Sequence, residues 1–328
     1  MTAMAESTSL LHSVLEKDDL SYFYYIWLVP LVFGLPGNVL AIIIANRRNN
    51  RHLSPCIYMT AMGVADLVLV LERIGLIIFT KALLEHNVAI DLSWYFKVTV
   101  YVLHTSSILS GLFLSGLSID RLIAVRFPMH AQRLCTTSRA KTSIILITVI
   151  LSLANIHLLY MVTYFKDKLL GIYVWVLSTP GYPVFEEVVT GFHMIFGTIL
   201  PFFIIFSCNV VIIITLRQAS NERRKMDSNQ QKNKDSQHLT RMLLFVSFAY
   251  VIITLPYRLT HMLIKIPAIS NTFDMTTLLG RTEYVVLLWG MGNIWMCNYC
   301  INFYLYCLGG GRRYRTDAKQ LFREFFRC

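Results

Sequence analysis

Apolar residues fall along this chain in seven long blocks separated by short polar stretches. The blocks cover about 22–45, 55–79, 95–122, 143–165, 188–216, 241–264 and 282–308. A helix rises 1.5 Å per residue, so each block is long enough to cross the roughly 30 Å hydrocarbon layer of a bilayer. The pattern predicts an all-α membrane protein. It is a seven-transmembrane helix bundle over 22–308, with an outer N-terminus over 1–21 and an inner tail over 309–328. Pro30 and Pro36 lie in the first block, and Pro201 and Pro256 mark expected kinks in the fifth and sixth. After Gly309-Gly310-Gly311 the tail reads as a short amphipathic interfacial helix. Tyr314, Ala318, Leu321, Phe322, Phe325 and Phe326 would face lipid, with Arg and Lys opposite.

Composition agrees with this pattern. Charged residues make up 15% of the chain and mean hydropathy is +0.54, whereas soluble domains carry about 25% charge. Most Lys and Arg fall on one side of the bundle. Arg47, Arg48 and Arg51 follow the first block, and Arg121, Arg126, Arg133, Arg139 and Lys141 follow the third. Arg217, Arg223, Arg224, Lys225, Lys232, Lys234 and Arg241 follow the fifth, and six more cations lie in the tail. The positive-inside rule then sets the N-terminus outside and the tail in the cytosol. The net charge of +11 becomes a cytosolic face beside anionic lipid rather than a nucleic-acid surface. The first 20 residues lack the basic, apolar and small-residue order of a cleavable leader, so none is expected. No N-x-S/T sequon occurs. Residues 218–239 form a polar loop, expected to be mobile with helical ends.

Cysteine placement excludes an outer staple. Cys56 and Cys135 fall at inner loops, Cys208, Cys297, Cys300 and Cys307 in the blocks, and Cys328 ends the tail as a candidate for acylation. None lies in an outer loop, so no structural disulfide is expected. Ionisable and amide side chains inside the blocks are costly and therefore functional candidates. At mid-depth stand Asn38, Asp66, Ser110, Asn298 and Asn302. Asn298 and Asn302 are four apart and share a helix face. A lone carboxylate in hydrocarbon is expensive, so Asp66 must be paired, protonated or ion-bound. The outer halves carry Glu72, Arg73, Lys97, Tyr101, His104, His193, Tyr257, Arg258, His261, Glu283, Tyr284 and Trp289. Both charge signs with several aromatics suit a peptide or an amphoteric small molecule. Each residue alone could equally be an interfacial anchor.

The run Ser118-Ile119-Asp120-Arg121-Leu122-Ile123-Ala124-Val125-Arg126-Phe127-Pro128 closes the third block. It resembles the D-R-Y…V…P signature of rhodopsin-like G-protein-coupled receptors, with Leu122 in place of Tyr. Gly37-Asn38, Ala65-Asp66-Leu67, Pro201, Pro256 and Asn302-Phe303-Tyr304-Leu305-Tyr306 extend the resemblance to about residues 25–327. Phe303 replaces the proline of N-P-x-x-Y. The block Ile301–Leu308 is most similar to invertebrate peptide receptors of FMRFamide and thyrotropin-releasing-hormone type. The resemblance implies that Asp120 holds Arg121 at rest, and that Arg121 meets the G protein once the sixth span moves outward. Tyr306 belongs to the same switch, and a sodium ion would sit at Asp66 and Ser110 in the polar network. No other cofactor is implied. The implied partners are a heterotrimeric G protein, an extracellular ligand and plasma-membrane lipid.

The chain also departs from that family. Thr254 stands where Trp is usual, Asn209 where Tyr is common, and Phe96 where a disulfide cysteine would lie. Leu103 and Met296 occupy the positions of the amine-binding Asp and the retinal-binding Lys, so neither a biogenic amine nor retinal is implied. A neuropeptide receptor is therefore expected, with a chemosensory receptor for small molecules as the alternative. A transporter or channel would require inverted repeats or several mid-depth charges, and neither is present. An enzyme would require paired acids or clustered His, whereas the nine His are scattered in sequence.

Overall fold

Backbone N–H and C=O groups have no water to bond inside a bilayer, so each span must close its own hydrogen bonds as a helix. The computed structural model describes residues 21–86, 93–166, 173–177, 183–226, 234–264, 272–273, 277–309 and 312–325. The first three helices run over Ser21–Ala45, Ser54–His86 and Ser93–Arg126. The fourth covers Thr137–Ala154 and resumes after a turn as Leu158–Met161. The fifth is Pro183–Met194, one π-helical turn at Ile195–Ile199, and Leu200–Met226. The sixth is Lys234–Leu263, and the seventh is Leu278–Cys300 followed by Asn302–Gly309. Among the described residues, five helices are long and apolar enough to cross a membrane, and Leu31–Ala45 is a shorter apolar stretch.

The third helix is the axis of the bundle. Val100, Leu103, Ile108, Leu109, Phe113, Leu114 and Leu117 are buried along it against the neighbouring helices. Outward faces remain bare and apolar, with Ile150 on the fourth helix 65% exposed, Phe203 on the fifth 61% and Ile252 on the sixth 68%. A soluble monomer does not display apolar area on this scale, and lipid covers it here. Small residues let the backbones approach, as membrane bundles require. A Cβ at Gly34 would lie 2.5 Å from Cys300 Sγ and 3.2 Å from Val70 Cγ2, so the first, second and seventh helices meet through that gap.

Two features depart from the sequence expectation. The fourth span ends at Met161, four residues short of the expected 165, and is broken after Ala154. The buried Asn155 follows Ala154 and spends its side chain on the third helix, donating from Nδ2 to Thr105 Oγ1 at 3.1 Å. Beyond it, Val162–Lys166 pairs antiparallel with Tyr173–Leu177, Val162 opposite Leu177 and Lys166 opposite Tyr173. Val-Thr-Tyr-Phe-Lys and Tyr-Val-Trp-Val-Leu are rich in β-branched and aromatic residues, which fit a pleated ribbon better than a helix. This hairpin is an addition to an otherwise helical fold.

The tail is the second departure. Arg312–Phe325 is helical, but Ala318 is only 6% exposed and Leu321 packs against the bundle core rather than facing lipid. The same helix is tied to the first inner loop, where Asn50 Nδ2 donates to Asp317 Oδ2 at 3.0 Å and Arg47 pairs with Glu324 at 2.8 Å. Phe326 and Cys328 lie outside the described residues, as do the side chains of Tyr314, Phe322 and Phe325.

The gap at Gly34 generates a test. Gly34→Ala lowers the thermal stability of the solubilised protein, by about 1–3 kcal/mol for an overpacked core site. Adding Cys300→Ala removes the sulfur and returns much of that loss, as thermal unfolding of the single and double variants will show.

Candidate functional site

Three sites line up along the bundle. The first is a polar network at mid-depth. The seventh helix breaks at Ile301, between Cys300 and Asn302, even though no proline stands there. A helix end leaves carbonyls without partners, and Asn38 Nδ2 fills one by donating to Tyr299 O at 2.9 Å across from the first helix. Asn302 opens the next segment and donates from Nδ2 to Asp66 Oδ2 at 2.7 Å. The Ser110 hydroxyl lies close to the Asp66 carboxyl. Asp66 is fully buried, and Asn298 and Asn302 are nearly so. Asp66 Oδ1 and Asn38 Oδ1 have no hydrogen-bond partner. A carboxylate oxygen, a hydroxyl and an amide oxygen are the hard donors that suit a small cation such as sodium, so the residues present fit one.

The second site is at the inner end. Asp120 and Arg121 sit in the last turns of the third helix, both largely buried. Arg121 donates from Nε and Nη2 to Asp120 Oδ2. Ser54, on the second helix, donates to the other oxygen, Asp120 Oδ1, at 2.7 Å. The following loop folds against the pair, with Pro128 at the first position of the short helix Pro128–Leu134. Cys135 Sγ donates to Asp120 O at 3.4 Å. Burial, then the Asp120 carboxylate, push this thiol up to about 11, so it remains a protonated donor. Tyr306 lies 1% exposed in the core of the same half.

The third site occupies the outer half. Arg258, two residues past Pro256, stacks its guanidinium over Tyr257 at 5.7 Å and Trp295 at 5.6 Å. Trp295 stacks on Tyr257 with centroids 4.8 Å apart and meets Tyr299 edge-on at 5.1 Å. His261 closes on Tyr257 at 4.7 Å. His104 and His193 stack at 4.8 Å, His157 adds a ring at 5.9 Å, and His193 Nε2 lies 3.1 Å from Asn155 Oδ1. Glu72 and Arg73 pair with each other at 3.3 Å. His104, His157 and His193, scattered in sequence, are thus brought together from the third helix, the turn after Ala154 and the fifth helix. Among the described residues no group of three or more His, Cys, Asp and Glu could hold a metal.

Of the expected outer residues, Tyr101 turns its hydroxyl to Ser152 O at 3.2 Å on the fourth helix, and Glu283 is exposed. Both therefore lie apart from the Arg258 cluster, and the side chain of Trp289 is outside the described residues. Trp295 and Tyr250 were not singled out in sequence. Tyr250 sits 5% exposed, and its hydroxyl reaches Gly197 O at 3.5 Å, a weak bond. Pro201 lacks the N–H that a helix would aim at that carbonyl, so the proline four residues ahead was the available signal.

Seven helices around a buried carboxylate, with an acid–base pair at the end of the third, define a multi-pass membrane receptor architecture. Residues 37–306 match the 7 transmembrane receptor (rhodopsin family), and the chain belongs to that family. It is 27% identical to the G-protein coupled estrogen receptor 1 of Danio rerio, over 84% of this chain and 70% of that one. It is 24% identical to the C-X-C chemokine receptor type 5 of Homo sapiens, over 88% and 74%. It is 23% identical to the thyrotropin-releasing hormone receptor of Ovis aries, over 69% and 62%. The chain is a signalling receptor for an extracellular ligand.

The Asp66–Asn302 bond can be isolated by a double-mutant cycle. Asp66→Asn, Asn302→Ala and their combination should show a coupling of about 1.5–3 kcal/mol in thermal or denaturant stability, the range for a hydrogen bond to a charged group. Additive effects would mean that the two side chains do not hold each other.

Proposed function

We propose that this receptor sits in the plasma membrane with its N-terminus outside, binds a peptide ligand, and activates a heterotrimeric G protein through Asp120 and Arg121. The observation that carries the switch is the Asp120 carboxylate. One oxygen holds Arg121 and the other is held by Ser54 from a different helix. Arg121 is thereby folded onto its own helix, away from the cytosolic opening. Outward movement of the sixth helix would let the G protein compete for Arg121, an exchange between two discrete arrangements biased by ligand. Peptide binding is supported by the breadth and chemistry of the outer half, where rings and both charge signs meet, and by the likeness to chemokine and thyrotropin-releasing hormone receptors.

The mid-depth network couples the two ends in this reading. Asp66, Ser110 and Asn38 would hold a sodium ion in the resting arrangement, and Asn302 would join Asp66 to the broken seventh helix. The ion would supply positive charge to the buried carboxylate. These residues fix the second helix to the seventh. Asp66→Asn should then remove any sodium dependence of agonist affinity. Affinity that varies with sodium equally in parent and variant would place the ion elsewhere.

Nucleotide exchange tests the switch. Arg121→Ala should abolish exchange on the G protein while surface expression persists. Asp120→Asn should raise exchange without ligand, because it weakens the hold on Arg121. Full signalling by the Arg121 variant would defeat the proposal. The ligand panel should hold peptides with amidated and with free C-termini, and small odorants, since a response to the last alone would favour a chemosensory receptor.

A further inference from the structure

Among the described residues, several donors around Arg258 have no acceptor. Arg258 makes no ion pair among the described residues, and its Nε–H has no hydrogen-bond partner. Glu72 pairs with Arg73 at 3.3 Å rather than with Arg258, though neither Glu72 oxygen makes a hydrogen bond. Trp295 Nε1–H, whose ring adjoins the guanidinium, also has no acceptor, and neither do the hydroxyls of Thr254 and Thr198. Thr254 lies one turn below Arg258 on the same face. Thr198 follows Gly197 in the π-helical turn, and a Cβ at Gly197 would stand 3.4 Å from Arg258 Nη2 and 3.2 Å from Ile108 Cγ1. The fifth helix therefore keeps a glycine where the guanidinium reaches across, and π turns gather at functional sites. Buried donors such as Arg258 Nε–H are normally satisfied, and even a half-buried cation favours an anion beside it.

We propose that Arg258 is the anchor of an anion subsite, and that the ligand presents a carboxylate to it, with an aromatic group against Tyr257 and Trp295. This rests on the receptor reading and narrows the ligand class. A planar guanidinium takes a carboxylate through two parallel hydrogen bonds, and the flanking indole N–H and threonine hydroxyls supply further donors. The ring faces of Tyr257 and Trp295 already pack the guanidinium, and His261 adds a ring against Tyr257. A carboxylate attached to an aromatic residue matches both features. It could be a peptide's C-terminus or a free acid.

Binding to the purified full-length receptor in lipid nanodiscs, read by thermal unfolding, tests this without any signalling step. The probes are 3-phenylpropionate and the tripeptide Gly-Gly-Phe, each as free acid and as amide. The expected result is a rise in melting temperature with an acid and none with its amide. Arg258→Gln should weaken the acid's effect by roughly tenfold or more, as truncating one member of a buried charge pair does, while Arg258→Lys keeps part of it. A shift with the tripeptide acid alone assigns the carboxylate to a peptide, and one with 3-phenylpropionate alone assigns it to a free acid. Equal shifts with acid and amide, an acid effect that survives Arg258→Gln, or no shift with either acid would overturn the subsite. The acid–amide comparison on the parent protein decides the matter even if the Arg258 variants do not fold. Since no G protein is present, a negative result removes the subsite and leaves the Asp120–Arg121 switch standing.

Discussion

A carboxylate at the centre of an apolar bundle is the constraint around which the other features are arranged. Asp66 is fully buried on the second helix, where an unaccompanied charge would cost several kcal/mol. Its neighbours supply what water would otherwise supply. Asn302 donates from the seventh helix, and the Ser110 hydroxyl faces it from the third. The break at Ile301 makes this possible, because an uninterrupted helix would have no reason to begin a new segment at Asn302. Asn38 then meets a carbonyl exposed by the same break. The first, second and seventh helices are joined by polar bonds worth most where lipid excludes competitors.

The same economy governs both ends. At the inner end Asp120 divides its two oxygens between Arg121 and Ser54, so a charge pair is held by three side chains on two helices. At the outer end the pairing is incomplete. Glu72 pairs with Arg73, while Arg258 makes no ion pair among the described residues and lies against the faces of Tyr257 and Trp295. Cation–π contact stabilises a guanidinium by about 0.5–2 kcal/mol, less than the cost of taking it out of water. A site that is closed at rest on one side and open on the other is what a ligand-driven receptor requires. Proline and glycine set the geometry between them. Pro201 frees Gly197 O for Tyr250, and Gly197 clears space for Arg258.

Much of this could be read from the chain. Seven apolar blocks gave the bundle, because spans must be apolar along their length whatever their partners. Asp66, Asn302, Asp120 and Arg121 stood out because polar groups in such blocks need a reason. Other features were hidden because they depend on tertiary neighbours. The three adjoining histidines lie on two helices and the turn after Ala154, at spacings that carry no signal. Trp295 looked like one more apolar residue of the seventh block until Tyr257 and Arg258 were placed against it. The hairpin at Val162–Lys166 and Tyr173–Leu177 was obscured because aromatic and β-branched residues serve a span and a strand alike. In the tail, amphipathic spacing found the helix, but the Asn50–Asp317 and Arg47–Glu324 contacts decided which face meets the bundle.

The central claim is that the inner end opens when a G protein claims Arg121. A distance across that opening tests it most directly. Genetically encoded spin labels at Arg139, at the start of the fourth helix, and at Phe245, on the exposed face of the sixth, would report it in nanodiscs with and without nucleotide-free G protein. The account predicts a longer distance when the G protein is bound, lost on Arg121→Ala. An unchanged distance in the presence of bound G protein would contradict it.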